Sequence, residues 1–240
     1  MEQKQKNDSV SNDTSRSPLL GGFRGHIKVC GNTLPQQVNS LDDLGISFAG
    51  FIFYPKSPRY MAMKISVEKM RQIKGKIIKV GVFVNPTYEE LMKTVDEYRL
   101  DMVQLHGDES PKFCDKIADY ISVIKAFRLS DNDSLEYMSR PYAEVCDFFM
   151  FDTLGAGYGG TGKKFDWDLL QKSPPFKPYF ISGGIEIGDE KKISELIATP
   201  AGEKLFAVDI NTKFEIGPGV KDVNSIRKFA ENLGVKKLNK

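Results

Sequence analysis

The stretch Phe148-Phe149-Met150-Phe151-Asp152 is a short apolar run that ends on a carboxylate. A continuous apolar run of this length is typical of a buried strand in a parallel sheet, both of whose faces are covered. The chain then enters a loop in which five of the eight positions 155–162 are glycine, followed by Lys163 and Lys164. The backbone N–H groups of such a loop can approach an anion closely. The stretch therefore predicts a buried strand that carries an acid beside a phosphate-binding loop; the alternative is an aspartate that caps a turn in a flexible linker.

Similar short runs of β-branched and aromatic residues recur from His26 onward. They cover residues 27–29, 48–53, 77–84, 102–105, 121–126, 148–151, 179–181 and 205–208. Segments with helical period lie between them, and in residues 88–98 the side chains of Leu91, Val95 and Tyr98 share one face. Other such segments cover residues 113–117, 191–197 and 226–233. Eight strand–helix units predict an α/β fold, the (β/α)8 or TIM barrel, and a doubly wound open sheet is the alternative.

Residues 1–24 differ from the rest of the chain. They are polar, rich in Ser, Asn and Asp, and without period. We expect a disordered N-terminal extension over residues 1–24 and a single catalytic barrel domain over residues 25–240.

Composition limits the classes of partner and compartment. The net charge of +2 results from 34 basic and 32 acidic side chains, so no global field favours nucleic acid or an anionic membrane. The three cysteines, Cys30, Cys114 and Cys146, are widely spaced, which argues against a disulfide framework or a zinc site and fits a reducing compartment. No apolar stretch is long enough for a membrane span or a signal core. We expect a cytoplasmic protein that binds a small molecule and neither nucleic acid nor membrane.

The carboxyl ends of the strands are where a barrel of this kind places its active site. Reactive or polar residues follow the predicted strands at Cys30, at Arg59, at Asn85, at His106, at Arg128, at Asp152, at Ser182-Gly183-Gly184 and at Asp209-Ile210-Asn211-Thr212-Lys213. A Gly-Gly pair after strand 7 is where barrels hold a phosphate on backbone N–H groups.

Each of these residues also has a structural interpretation. A cysteine beside a strand is most often a small core residue, and we take Cys114 and Cys146 as such. His106 could be a hydrogen-bonded structural histidine and Arg59 a solvated loop cation. The Gly183-Gly184 pair could be only a tight turn.

Several strings resemble the phosphoribosylanthranilate isomerase family of tryptophan biosynthesis. They are Lys28-Val29-Cys30-Gly31 and residues 50–60, 80–85, 103–109, 159–167, 182–185 and 218–222, in family order. The Phe-Tyr-Pro-Lys-Ser string (53–57) and the Gln-Leu-His-Gly string (104–107) are the specific ones. The chain departs from the family at Asn32, where Ile or Leu is usual, and over residues 209–215, where Thr212 keeps a hydroxyl but Lys213 replaces a glycine.

The resemblance implies an aldose–ketose isomerase that performs an Amadori rearrangement. In it, N-(5-phosphoribosyl)anthranilate becomes 1-(2-carboxyphenylamino)-1-deoxyribulose 5-phosphate by proton transfers alone, so no cofactor and no metal is expected. By analogy with the family, Cys30 is the base and Asp152 the acid, and Arg59 holds the anthranilate carboxylate. The remaining residues implied in substrate binding are Lys28, His106, Gly159, Gly160, Gly183, Gly184, Asp209, Asn211 and Thr212. We expect a monomer or a homodimer.

The proposed base and acid raise a chemical question. A free thiol titrates near ~8.5 and a free aspartic acid near ~3.9, so both groups need help from their surroundings at neutral pH. Lys28 lies on the same side of strand 1 as Cys30, two residues away, and is a candidate helper.

Two other functions remain open. A related lyase barrel, indole-glycerol-phosphate synthase, would call for a catalytic lysine and glutamates where this chain has a cysteine and an aspartate. A phosphate-binding module without catalysis is disfavoured by the presence of both Cys30 and Asp152.

Overall fold

Eight parallel strands close into a barrel in the order in which they occur along the chain. This computed structural model describes residue 23 and residues 25–130, 133–153 and 166–235. The strands are β1 (His26–Val29), β2 (Phe48–Ile52), β3 (Ile78–Phe83), β4 (Met102–Leu105), β5 (Ser122–Leu129), β6 (Phe148–Thr153), β7 (Tyr179–Ile181) and β8 (Leu205–Ile210). Because β1 pairs with β8 from His26 to Val29, the sheet has no open edge. The prediction of a (β/α)8 barrel is confirmed, and the open doubly wound sheet is wrong.

Helices connect successive strands around the barrel. They are α1 (Pro35–Asp43), α2 (Val67–Arg71), α3 (Tyr88–Tyr98), α4 (Pro111–Ala118), α5 (Leu135–Ser139), α6 (Asp168–Lys172), α7 (Glu190–Ile197) and α8 (Val223–Asn232). Helix α3 has the predicted bounds and buries the predicted face of Leu91, Val95 and Tyr98. It begins after Thr87, whose side chain accepts a hydrogen bond from the Glu90 N–H while the Glu90 carboxylate accepts one from the Thr87 N–H. This capping box satisfies two N–H groups that the first turn leaves without partners.

Apolar side chains form two clusters. The larger one joins strand residues such as Ile27 and Val29 to helix residues such as Leu41 and Leu91, so it lies between barrel and helices. The smaller one contains strand residues alone, including Phe48, and corresponds to the barrel interior. Because successive strand residues alternate in direction, Lys28 and Cys30 face the interior when Ile27 and Val29 face the helices.

A short antiparallel hairpin follows the barrel strands, and the sequence analysis did not predict it. It consists of β9 (Glu215–Gly217) and β10 (Val220–Lys221). The backbone N–H and C=O of Lys221 bond to the Gln37 side chain on α1, which holds the hairpin against the barrel.

Some predictions concern residues that the structure does not describe. The extension over residues 1–24, apart from Phe23, and the glycine-rich loop over residues 155–162 lie outside the described ranges. Within those ranges, no helix combines the length and apolar character needed to cross a bilayer.

Candidate active site

A cavity of about 310 Å³ opens at the carboxyl ends of the barrel strands. The predicted site residues on its wall are Cys30, Arg59, His106, Asp152, Gly183, Gly184, Asp209, Asn211 and Thr212. Lys28 does not line the cavity but is fully buried below Cys30. Gly159 and Gly160 lie outside the described residues. The fold therefore gathers in one place the residues at or just after the carboxyl ends of β1, β2, β4, β6, β7 and β8.

Cys30 is buried at the end of β1, with 5% of its surface exposed. Among the charges around it, that of Lys28 acts most strongly on its thiol. Burial raises the pKa of the Cys30 thiol above its ordinary value, and the positive charges of Lys28 and Lys221 only partly oppose this effect. Lys28 thus acts on Cys30 in the expected direction, but desolvation outweighs it and the thiol form is favoured in the free protein.

Lys28, the cation below Cys30, forms a salt bridge with Asp209. The Nζ atom of Lys28 lies 2.9 Å from Oδ1 of Asp209, and both residues are buried. Burial acts to lower the pKa of Lys28, but Asp209 and Cys30 together outweigh it and the pKa is raised above its ordinary value. Lys28 therefore stays charged at neutral pH. The carboxylate of Asp209 is engaged by Lys28 and, at 3.5 Å, by the hydroxyl of Ser182.

Asp152 occupies the end of β6 and is nearly buried. Its Oδ1 atom accepts a hydrogen bond from the Thr153 N–H, and its Oδ2 atom lies 3.2 Å from Nε2 of His106. The other ring nitrogen of His106, Nδ1, lies 2.8 Å from Nε2 of the buried Gln104 side chain. If the amide donates there, the ring proton lies on Nε2 and faces Asp152. The sequence analysis quoted Gln104 in a motif but did not assign it to the site.

Arg59 lies on the loop after β2, beside the end of β1. A Cβ atom at Gly31 would meet the Arg59 Cδ atom at 2.6 Å, so the arginine stem crosses a position that only glycine leaves open. The guanidinium is bound by Glu215 on β9, through Nε at 3.0 and 2.9 Å and through Nη2 at 2.6 Å. Arg59 is thus a fixed side chain at the cavity wall and not a solvated loop cation.

The loop after β7 brings the backbone of Gly183 and Gly184 to the same cavity as Arg59. Gly183 and Gly184 have φ angles of 95° and 68°, which side-chain-bearing residues rarely adopt. A Cβ atom at Gly183 would also collide with the Thr153 hydroxyl. Thr212 and Lys213 line the same cavity, and Lys213 Nζ lies 3.6 Å from Oε2 of Glu186. These two glycines let the backbone approach a bound anion closely.

Apolar side chains form the rest of the wall. They include Ile52, Val82, Val84 and Ile185, together with Tyr54. Among the described residues, no group of His, Cys, Asp and Glu side chains could hold a metal ion. The cavity wall thus combines apolar side chains with a fixed guanidinium, a thiol, an aspartate side chain and backbone N–H groups after β7.

Besides Gln104, sequence reasoning missed two charged residues that lie behind the cavity wall, Glu215 and Lys221. Both are nearly or fully buried, and both belong to the hairpin that was not predicted. The signal that could have found them is the charge of a Glu and a Lys in the segment that follows the last barrel strand.

Comparisons with known proteins agree on one family. A family model described as N-(5'phosphoribosyl)anthranilate (PRA) isomerase matches residues 27–232. A protein of Parabacteroides distasonis named N-(5'-phosphoribosyl)anthranilate isomerase is 37% identical over 211 residues, which cover 86% of this chain and 92% of the relative.

Solved structures give the same result. The crystal structure of monomers generated from the dimeric phosphoribosylanthranilate isomerase of Thermotoga maritima has a TM-score of 0.71 and 32% identity, covering 87% of this chain and 98% of that one. A phosphoribosylanthranilate isomerase in complex with reduced 1-(o-carboxyphenylamino)-1-deoxyribulose 5-phosphate has a TM-score of 0.71 and 33% identity, over the same shares of the two chains.

Proposed function

The chain belongs to the N-(5'-phosphoribosyl)anthranilate isomerase family and catalyses that isomerisation in tryptophan biosynthesis, and we propose that Cys30 is its general base and Asp152 its general acid. This assignment replaces the lyase and the non-catalytic phosphate-binding module as candidate functions. A single observation supports the two roles: Cys30, just after β1, and Asp152, near the end of β6, line the same cavity. We also propose a cytoplasmic enzyme that acts as a monomer or a homodimer.

The substrate has two anionic ends, and the cavity has two places for them. We place the phosphate on the backbone N–H groups of Gly183 and Gly184, with Thr212 and Asn211 beside it. We place the carboxylate of the aromatic ring on Arg59, and the ring itself against the apolar wall near Tyr54. The ligand in the crystal structure of a relative, reduced 1-(o-carboxyphenylamino)-1-deoxyribulose 5-phosphate, carries the same two groups, a carboxylate and a phosphate.

The reaction then needs one proton to be given and one to be taken. Asp152 gives its proton to the furanose ring oxygen, the ring C–O bond breaks, and the nitrogen lone pair forms the protonated imine. The thiolate of Cys30 removes the proton from C2′, and those electrons form the enolamine, which tautomerises to the ketone. His106 lies within 3.2 Å of Asp152 and stabilises the carboxylate that remains after proton donation.

Two further residues have supporting roles in this proposal. The positive charge of Lys28 acts to lower the pKa of Cys30 and so favours the thiolate, which is the form that can act as the base. Asp209 keeps Lys28 charged and in place, because it is the partner of this lysine at 2.9 Å. With its carboxylate bound to Lys28, Asp209 contributes to the site through Lys28 and not through a phosphate.

Fluorescence provides the test, since turnover removes the anthranilate-type emission of the substrate. Cys30→Ser and Asp152→Asn are expected to lower kcat by about 10²–10⁴-fold while substrate binding stays nearly intact. Matched controls are Cys114→Ala on α4 and Asp96→Asn on α3, which lie away from the cavity and should keep wild-type kcat. If Cys30→Ser keeps more than about a third of wild-type kcat, the base assignment fails.

A further inference from the structure

We propose that Glu215 is a positioning residue: it binds one edge of the Arg59 guanidinium and so leaves the other edge available to the carboxylate of the substrate's aromatic ring. This inference rests on the proposed role of Arg59. The inference extends the proposed site by two side chains, Glu215 and Lys221. Neither has contact with the reacting atoms, and the sequence analysis assigned neither to the site.

The geometry of the ion pair is the first argument. Glu215 takes the edge of the guanidinium formed by Nε and Nη2, at 2.6–3.0 Å. A guanidinium has a second edge, formed by Nη1 and the other hydrogen of Nη2, which can bind another carboxylate with two parallel bonds. Apart from those to Glu215, the one hydrogen bond that the guanidinium makes to the described residues is long, 3.4 Å from Nη2 to the Thr212 hydroxyl. Arg59 lines the cavity and its side chain keeps 12% exposure, and we infer that the edge not bound by Glu215 is the one that a ligand in the cavity reaches.

Glu215 is itself held from three sides. Its Oε1 atom accepts hydrogen bonds from Lys221 Nζ at 2.6 Å and from the Gly219 N–H at 3.0 Å, in addition to Arg59. Its side chain is 3% exposed and that of Lys221 is fully buried. Lys221 Nζ also donates to Oδ1 of Asn211 at 2.8 Å, which connects the hairpin to the end of β8. An anchor restrained in this way keeps the guanidinium in one orientation before substrate arrives.

The charges of the cluster are the second argument. A salt bridge between Arg59 and Glu215 alone would be neutral and would attract an anion weakly. With Lys221 protonated, the three side chains together carry one net positive charge, which matches one substrate carboxylate. Burial lowers the pKa of Lys221, and the charge and hydrogen bond of Glu215 oppose this effect only in part. Burial acts to raise the pKa of Glu215, but Arg59 and Lys221 together lower it, so this carboxylate is ionised at neutral pH.

A purely structural clamp is the competing explanation, and the two differ in which ligand they affect. A positioning role concerns the carboxylate end of the substrate, while a clamp that holds the barrel mouth together affects all ligands and kcat alike. We therefore compare the inhibition constants of anthranilate, which has the carboxylate, and of inorganic phosphate, which occupies the other end.

The test uses Glu215→Gln in the full chain. KM for the substrate and Ki for anthranilate should each rise about 10-fold, with kcat within about 3-fold and the phosphate Ki unchanged. In Arg59→Ala the same change at Glu215 should have no further effect, because the positioned group is gone. The control is Glu195→Gln, which breaks an exposed ion pair with Lys191 on α7.

Several results would overturn the proposal. They are an unchanged anthranilate Ki in Glu215→Gln, an equal loss of anthranilate and phosphate binding, or tighter anthranilate binding, which would make Glu215 a competitor of the substrate. If Arg59→Ala itself leaves KM unchanged, the proposed role of Arg59 fails and the positioning role with it. If Glu215→Gln does not fold, Arg59→Lys provides the test instead. The single ammonium of lysine cannot bind Glu215 and the substrate carboxylate through two separate edges, so a wild-type KM in Arg59→Lys would refute the inference.

Discussion

Adding a single methyl group at Gly50 should damage catalysis by displacing Cys30, although it replaces none of the proposed catalytic side chains. Gly50 lies on β2, next to the end of β1. A Cβ atom there would lie 2.9 Å from the Cys30 sulfur, 3.0 Å from the Cys30 Cα atom and 3.2 Å from Lys28 Nζ. All three distances are shorter than ordinary van der Waals contact, and one of them involves backbone, which cannot rotate away.

The size of the effect follows from these distances. To reach ordinary separations of about 3.5–4.0 Å, the Cys30 sulfur must move by about 0.5–1 Å, together with part of β1. A misplacement of about 1 Å at a reacting group can cost about 10²-fold in rate, and an added methyl in a packed interior costs about 1–3 kcal/mol of stability. We expect Gly50→Ala to lower kcat by about 10²-fold, to leave KM within about 3-fold and to destabilise the fold by about 1–3 kcal/mol.

Steady-state fluorescence kinetics and urea unfolding measure the two effects separately. Gly217→Ala is the matched control, because a Cβ atom at Gly217 meets none of the described residues within 4 Å. It should keep wild-type kcat and stability. A Gly50→Ala variant with wild-type kcat would refute the reasoning, since it would mean that the position of the Cys30 sulfur does not matter to the rate.

Three further predictions concern substrate binding, pH and motion. Arg59→Ala should raise KM more than it lowers kcat, because its ligand is present in both ground and transition states; an unchanged KM with a collapsed kcat would make Arg59 catalytic instead. Because burial raises the pKa of Cys30 above the ordinary ~8.5 of a thiol, the rate at which iodoacetamide alkylates Cys30 in the free protein should still be rising with pH at pH 9, and a plateau well below pH 9 would contradict the raised pKa. Residues 55–60 and 155–163 should gain protection from hydrogen exchange when a product analogue binds; equal protection in both states would exclude closure driven by ligand.

Much of the fold could be predicted because it depends on local patterns. Apolar runs such as residues 148–151 and the helical period of Tyr88–Tyr98 reflect which side of each element is buried, and burial is repeated in every strand–helix unit. The positions of Cys30, Asp152 and Gly183 at the cavity follow from the same patterns, since the carboxyl ends of parallel strands meet at one end of a barrel. Their chemical roles came from resemblance to a family and stay predictions.

The tertiary structure alone decided which charges are paired. Asp209 lies 181 residues from Lys28, and Glu215 lies 156 residues from Arg59, yet each pair is in direct contact. No periodicity connects residues at such separations, because the contact results from barrel closure between β8 and β1 and from the hairpin folded against the barrel mouth. The pKa of Cys30 is decided in the same way: the sequence places a lysine beside the thiol, but only the folded interior shows that desolvation outweighs that charge.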